Sequence, residues 1–313
     1  MTTLIADIGG TNTRCAVTGT DGPECVARFR NAKYPGIAPL LTDYLAELPA
    51  GLRPVSAALA VAAPVHGDRV QMTNLGWTFS VAALRDELGL EALRVLNDFE
   101  AQAYALPMLA STELLKIGGG QAEARAPKGV LGPGTGLGVA TLLPVGEGWL
   151  ALPGEGGHVT LAASDADETD LIRAVRQRFG HCSAERLISG PGLSLVHEVL
   201  HDEHDVTPEE IARRMEAGDN ATLQSFDTCC KLLGTVAANL ALTVGAFGGI
   251  YVAGGILPQH TERFVASGFR DRFEAKGRYG DYLKNIPTYL VTADEPALKG
   301  LWARTNQADR LPG

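Results

Sequence analysis

Cysteine is scarce in this chain: Cys15, Cys25, Cys182, Cys229 and Cys230 are the five thiols among 313 residues. Their odd number, and the lack of any Cys-x-x-Cys spacing, speak against a disulfide framework and the usual zinc or dithiol redox motifs, and leave free thiols in a reducing compartment. Basic charge is short as well. With 27 Lys and Arg against 36 Asp and Glu, the net charge of -9 argues against nucleic acid or an anionic membrane surface as partner, since both reward a basic footprint. The opening Met1–Asp7 runs into a strand-like segment with neither a basic start nor a long apolar stretch, so no export signal and a cytoplasmic location are expected. Charge is missing altogether from Leu232 to Leu257, a stretch long enough to imitate a membrane span. Asn239 and the glycines at 245, 248, 249, 254 and 255 instead divide it into a buried helix, a turn, a short strand Ile250–Ala253 and a glycine turn.

What is present is an ordinary globular composition, 45% hydrophobic and 20% charged, in a chain longer than one core usually serves, so two domains are expected. The pattern opens with a hairpin, Leu4–Asp7 and Cys15–Thr18 around Gly9-Gly10, followed by a strand Val26–Arg30. A helix over Ile37–Leu48, a buried strand Ala57–Ala62, a helix Val81–Leu88 and a strand Leu93–Leu96 follow. That last strand delivers Asn97-Asp98 to its carboxyl end, where open α/β sheets bind ligands. The second half repeats the theme with strand Gly129–Leu131, the turn Gly132-Pro133-Gly134-Thr135-Gly136 and strand Gly138–Val145. Helical periodicity then covers Asp170–Phe179, Leu193–His201, Pro208–Met215 and Ser225–Val244, with a strand Thr288–Val291 and a closing helix Pro296–Thr305. Strands first and helices after, twice over, suggest two related α/β lobes with a cleft between them.

Four segments carry residue types suited to chemistry. Asp7-Ile8-Gly9-Gly10-Thr11-Asn12 sets a carboxylate at a strand end before two residues without Cβ, so that backbone N–H groups can close on an anion. No Lys-Ser/Thr pair follows and a strand comes next, which excludes a Walker A loop and a dinucleotide fingerprint. Gly132–Gly138 also turns strand into strand, and two such elements facing one cleft suit a triphosphate. Asp98 can accept a proton from an attacking hydroxyl, while Asn97-Asp98 can equally serve as a helix cap. Pro153-Gly154-Glu155-Gly156-Gly157-His158 offers a carboxylate and an imidazole in a glycine-rich loop, the donor and acceptor mixture that a ring of hydroxyls requires. Glu185, before Arg186-Leu187-Ile188-Ser189-Gly190, is either another such group or an exposed residue ahead of a helix. His197, His201 and His204 could line a zinc face, but a solvated helix end rich in Asp and Glu is the better account.

Taken together, Asp7–Arg14, Met72-Thr73-Asn74, Leu96–Phe99, Gly132–Gly138, Leu152–Val159, Glu185–Gly192, Val252–Ile256 and Ser267–Arg270 resemble the bacterial glucokinase family over nearly the whole chain. The resemblance implies a two-lobed α/β fold of the actin-like ATPase, ribonuclease H-like kind, with the active-site cleft between a small domain, residues 1–108 plus 299–313, and a larger one, residues 109–298. It implies glucose held by Asn97, Asp98, Glu155, His158 and Glu185, with Asp98 as the base for the 6-hydroxyl. It implies ATP phosphates held by Asp7, Ile8, Gly9, Gly10 and Thr11 and by Gly132, Gly134, Thr135 and Gly136, with Gly254 and Gly255 near the adenosine, Asp7 organising Mg2+, and a homodimer. Val159–Asp165 holds no cysteine, unlike the zinc-bearing sugar kinases and repressors of the same fold. Thr13 and Leu75-Gly76 are given no weight. A kinase for another hexose, ADP or polyphosphate as donor, and a non-catalytic sugar sensor stay open, although no helix-turn-helix precedes the first strand.

Overall fold

Leu4, Ile5, Ala6 and Ile8 are fully buried, and so near-continuous an apolar run makes a strand covered on both faces rather than an alternating surface strand. The computed structural model describes residues 2–72 and 74–307. Thr73 of the Met72–Asn74 motif and residues 308–313 of the expected small domain lie outside the described residues. The chain divides into two compact units, Met1–Ala110 with Leu142–Pro153 and Ala293–Gly313, and Ser111–Thr141 with Gly154–Thr292.

The first unit contains β1 (Thr3–Ile8), β2 (Asn12–Thr18), β3 (Pro23–Arg30), α1 (Ile37–Glu47), β4 (Ser56–Val61), β5 (Arg69–Met72), β6 (Trp77–Ser80), α2 (Val81–Glu87), β7 (Ala92–Asn97) and α3 (Asp98–Ala105). Its sheet runs β3-β2-β1-β4-β7. The hairpin β1–β2 is antiparallel, while β1, β4 and β7 are parallel. The third strand begins at Pro23, earlier than its pattern suggests. A register shift between Cys15 and Val17, together with Cys25 at φ 53°, breaks the alternation there.

The second unit contains β8 (Leu114–Ile117), β9 (Lys128–Pro133), the start of β10 (Leu137–Val145), α4 (Ala166–Phe179), α5 (Ala184–Leu187), α6 (Gly190–His201), α7 (Pro208–Glu216), α8 (Asn220–Val244), β12 (Ile250–Val252), α9 (Thr261–Ala266), α10 (Phe269–Glu274), α11 (Gly280–Lys284) and β13 (Thr288–Val291), with β11 (Gly148–Gly154) between β10 and α4. The outer part of β10 and nearly all of β11 group with the first unit. The sheet order is β11-β10-β9-β12-β13-β8, with β9, β12 and β13 parallel and β8 antiparallel to β13. Three consecutive strands side by side, then two parallel strands beyond the first of them, is the arrangement of both sheets. The repeated theme read from the sequence is thus a repeated topology, with β8 as an addition.

The uncharged stretch resolves as expected. Helix α8 ends at Gly245, whose φ of 63° suits a residue without Cβ, and β12 follows. Among the described residues no helix is long and apolar enough to cross a membrane. Leu232, Leu233, Val236 and Ala237 of α8 are buried in the second unit's core. A Cβ on Gly234 would stand 2.4 Å from the Phe269 carbonyl oxygen, so the glycine is what lets α10 lie against α8. In the first unit α12 (Pro296–Gln307) packs on α3. There Gly300 meets the Ala101 carbonyl oxygen so closely that a Cβ would come within 1.7 Å.

Candidate active site

The carboxyl ends of the parallel strands in the first unit gather its polar residues. Asp7 is the last residue but one of β1, opposite Arg14 on β2 and beside Ala60 on β4, and Val61 of β4 lies opposite Asn97 on β7. The Asp7 side chain is 16% exposed, 3.5 Å from Arg14 Nη1, and Arg14 Nε lies 3.5 Å from Glu295 Oε1. Burial pushes the Asp7 carboxyl up to about 6; Arg14 opposes that rise and Glu295 adds to it. Beyond the end of β7, with β4 between that strand and β1, Asp98 is pushed up to about 7, first by burial and then by the charge of Asp7, against hydrogen bonds from backbone N–H groups and Asn97.

Of the pair Asn97-Asp98, it is Asn97 that takes the capping role. Asn97 is the cap of α3: its Oδ1 accepts from Phe99 N at 2.9 Å and from Glu100 N at 3.3 Å, and its Nδ2 donates to the Ala63 carbonyl at 3.3 Å. Asp98 accepts from Phe99 N at 3.0 Å as the first residue of the helix, where the positive end of the helix dipole faces its carboxylate.

The turn Gly9-Gly10-Thr11 is held from below. Gly9 N donates to the Asn12 carbonyl at 3.1 Å, and Asn31, 1% exposed, donates from Nδ2 to the Gly9 carbonyl at 2.8 Å and from its backbone to the Thr11 carbonyl at 3.0 Å. Thr13, fully buried, donates to Asn31 Oδ1 at 2.7 Å. Thr13 therefore carries weight after all, as half of the lock on this turn. Asn31 was missed; its only signal is an amide residue between a strand and the turn before α1. Ile8 is buried core, so only its backbone is available to a ligand.

In the second unit the glycines serve close approach. A Cβ on Gly132 would meet the Ala253 carbonyl oxygen at 2.1 Å, and one on Gly254, at φ 92°, the Pro133 carbonyl oxygen at 2.6 Å; the carboxyl ends of β9 and β12 thus touch backbone to backbone. Gly134 and Gly255 have no neighbour within 4 Å of such an atom and leave open space at the turn. Gly134 N donates to the Gly136 carbonyl at 2.7 Å, and Gly190 N at the start of α6 donates to the Gly134 carbonyl at 2.8 Å. Thr135 is exposed at the tip and shares a cavity of about 450 Å³ with Glu185, Arg186, Ser189 and Gly192.

Glu155, His158 and Glu185 come together. His158 Nε2 is 3.9 Å from Glu155 Oε2 and His158 Nδ1 is 3.8 Å from Glu185 Oε1, separations that exceed a hydrogen bond and leave each group's capacity for a ligand. Glu155 and His158 are more than half exposed. Glu185 is the second residue of α5, capped by Ser183, and not a merely exposed residue ahead of a helix: its Oε2 accepts from Leu137 N at 3.0 Å.

Other singled-out residues are structural. Arg270 is buried and donates to the Ile286 carbonyl at 3.0 Å, Thr288 Oγ1 at 3.2 Å and Glu274 Oε1 at 2.6 Å, tying α10 to β13. The solvated histidine face is corrected: His197 is fully buried, 2.9 Å from Ser225 Oγ on α8, because α6 turns that side to the core. His204 lies beyond the end of α6. Among the described residues no group of three or more His, Cys, Asp or Glu could hold a metal ion.

A family model described as Glucokinase matches residues 4–308. A glucokinase of Nitrobacter hamburgensis is 45% identical over 304 residues, covering 95% of both chains. A bifunctional protein glk of Paraburkholderia xenovorans is 44% identical over 307 residues, and there this chain spans 48% of the relative's length. Among solved structures, that of a glucokinase from an Antarctic psychrotroph superposes with a TM-score of 0.88 at 34% identity, covering 98% of this chain and 99% of the other. On the match of nearly its whole length, and with the glycine turns and carboxylates described above in place, this chain belongs to the glucokinase family.

Proposed function

We propose that this chain transfers the terminal phosphoryl group of ATP to the 6-hydroxyl of glucose, with Asp98 as the base, supplying glucose 6-phosphate to glycolysis. The observation that carries the reading is Asp98 itself. A carboxyl at the carboxyl end of a parallel strand, raised to about 7 by burial and by Asp7, is basic enough near neutrality to take the hydroxyl proton as the oxygen attacks. Direct transfer needs no nucleophile on the protein, since catalysis of phosphoryl transfer is chiefly positioning and charge neutralisation.

In this reading Asn97, Asp98, Glu155, His158 and Glu185 hold the sugar. Asp7, Ile8, Gly9, Gly10 and Thr11, with Gly132, Gly134, Thr135 and Gly136, hold the phosphates, and Gly254 and Gly255 flank the adenosine. Mg2+ fits such a site. It is commonly bound by one or two carboxylates together with substrate phosphates, and Asp7, a half-buried carboxyl whose ionisation burial opposes, is the residue that gains from a neighbouring cation. The ion would supply charge neutralisation at the transferring phosphate.

The repeated sheet topology supports a two-lobed actin-like fold of the ribonuclease H type. Its small lobe is residues 1–108 plus 299–313 and its large lobe residues 109–298. The composition supports a cytoplasmic location, and two-fold symmetry is the commonest assembly, which favours a homodimer. The test is to incubate purified protein with ATP, Mg2+ and a panel of hexoses and to locate the phosphate on the product. Glucose 6-phosphate as the dominant product is expected. Transfer from ADP or polyphosphate only, or to another hexose only, would replace the corresponding half of the reading.

A further inference from the structure

Leu137 is the backbone junction of two loops that the sequence separates by about one strand and its return. Its N–H donates to Glu185 Oε2 at 3.0 Å. Its carbonyl oxygen lies where a Cβ on Gly157 would stand, 2.1 Å away, so the loop of Glu155 and His158 rests directly on it. One residue earlier, a Cβ on Gly136 would come within 2.4 Å of Glu185 Oε2, so the carboxylate lies directly against the turn. The segment carrying Glu185 is itself pinned at both ends, by Ala184 N to the Val159 carbonyl at 3.0 Å and by Gly190 N to the Gly134 carbonyl at 2.8 Å.

We propose that Glu185 is a positioning residue for the phosphoryl donor as well as a ligand of the sugar, so that the two substrates are coupled through one carboxylate. The proposal rests on the assignment of Gly132–Gly138 to the donor and of Glu155, His158 and Glu185 to glucose. Oε2 fixes the turn through Leu137, and Oε1 faces His158 across 3.8 Å. A sugar hydroxyl donating to Oε1 restrains the carboxylate whose other oxygen holds the donor turn in shape. Each substrate then favours the arrangement that the other requires, and the coupling is reciprocal.

The test measures binding of a non-hydrolysable ATP analogue with Mg2+ by calorimetry, with and without saturating glucose. The proteins are the wild type, Glu185→Ala, Glu185→Gln and Glu155→Gln. Without sugar, Glu185→Ala is expected to weaken analogue binding about 5- to 10-fold through loss of a charge-assisted hydrogen bond to the turn. Glu185→Gln should stay within about twofold, because its amide oxygen still accepts from Leu137 N–H. Glu155→Gln should leave analogue binding unchanged while weakening glucose. In the wild type glucose should tighten the analogue, and in Glu185→Gln that tightening should shrink.

Wild-type analogue affinity in a normally melting Glu185→Ala protein overturns the proposal. If Glu185→Ala does not fold, the glutamine variant decides, and undiminished tightening by glucose overturns it. A wild type that binds both ligands without mutual tightening overturns it too. A wild type that binds neither overturns the kinase assignment itself, and the proposal with it.

Discussion

Asp98 and Glu155 are both carboxylates proposed to meet the same sugar, and the chain treats them in opposite ways. Asp98 is half-buried, fixed at the start of α3 beside its capping neighbour, and raised to about 7. Glu155 is 56% exposed, in a loop where the imidazole of His158 is 3.9 Å away. The first unit thus holds its acid in a costly state before any ligand arrives, whereas the second leaves its recognition groups solvated and spaced. That division suits a transferase: the proton acceptor must be tuned in advance, while hydroxyl recognition exchanges water for sugar at little structural cost.

The largest test of this contrast is Asp98→Asn. The amide keeps the shape and can still accept from Phe99 N, yet it cannot take a proton. Turnover is expected to fall about 10²- to 10⁴-fold, the range for a positioned general base, with the glucose dissociation constant changing little. Turnover within a few-fold of wild type, measured by coupled assay, would remove Asp98 from the role of base.

Next in size is Glu155→Gln. It keeps one acceptor and loses the charge, so KM for glucose should rise about 10-fold with kcat falling less, as for a contact made equally in ground and transition states. Because the side chain is more than half exposed, the melting temperature should not move, a surface change being worth about 0.5 kcal/mol or less. A large fall in kcat with unchanged KM would make Glu155 part of the chemical step and erase the contrast.

Much of this contrast is legible in the sequence, and the part that is not has a physical cause. The hairpin around Gly9-Gly10, the strand delivering Asn97-Asp98 and the helix–turn–strand at Leu232–Leu257 follow from local periodicity and glycine placement. Strand β8 does not. Leu114–Ile117 has no alternation, and it becomes a strand only because β13 offers an edge, with Leu290 opposite Leu115. The hairpin β5–β6 turns through Gly76 at φ 66°, a position with no signal until its backbone is known. His197 looked like a polar helix residue because sequence spacing does not reveal that α8 supplies Ser225 on the buried side. In the site, residue types point to Glu155 and His158, while Glu185 stays open on residue type and is singled out only through the family resemblance; the link from Glu185 to Leu137 joins residues 48 apart in sequence, beyond the reach of any local pattern.

The smallest expected effect is also the one that measures directly what the first unit sacrifices. The folded-state pKa of Asp98, about 7, stands above the ordinary value of 3.8 for an aspartate carboxyl. The folded chain therefore holds the proton more tightly than the unfolded chain. Between about pH 4 and pH 7 the unfolded state loses that proton first, so this group lowers stability progressively as pH rises through the interval, and the loss is complete above it. Asp98→Asn abolishes the titration, so it should melt like the wild type near pH 4 and higher than the wild type at pH 8. A full conversion of the shift at about 1.4 kcal/mol per unit overstates the gain, because Asp98 is partly open to solvent and Asp7 contributes part of the effect. A gain of about 1–2 kcal/mol at pH 8 is expected. The same ionisation should appear in wild-type kcat/KM, which reports the free enzyme and should fall about tenfold per unit as pH drops below the pKa of the base. Thermal melts of both proteins at pH 4.5 and pH 8 decide the matter. An equal difference at both pH values would mean that Asp98 is not held against its ionisation, and that its place at the end of β7, not its tuning, is what distinguishes it from Glu155.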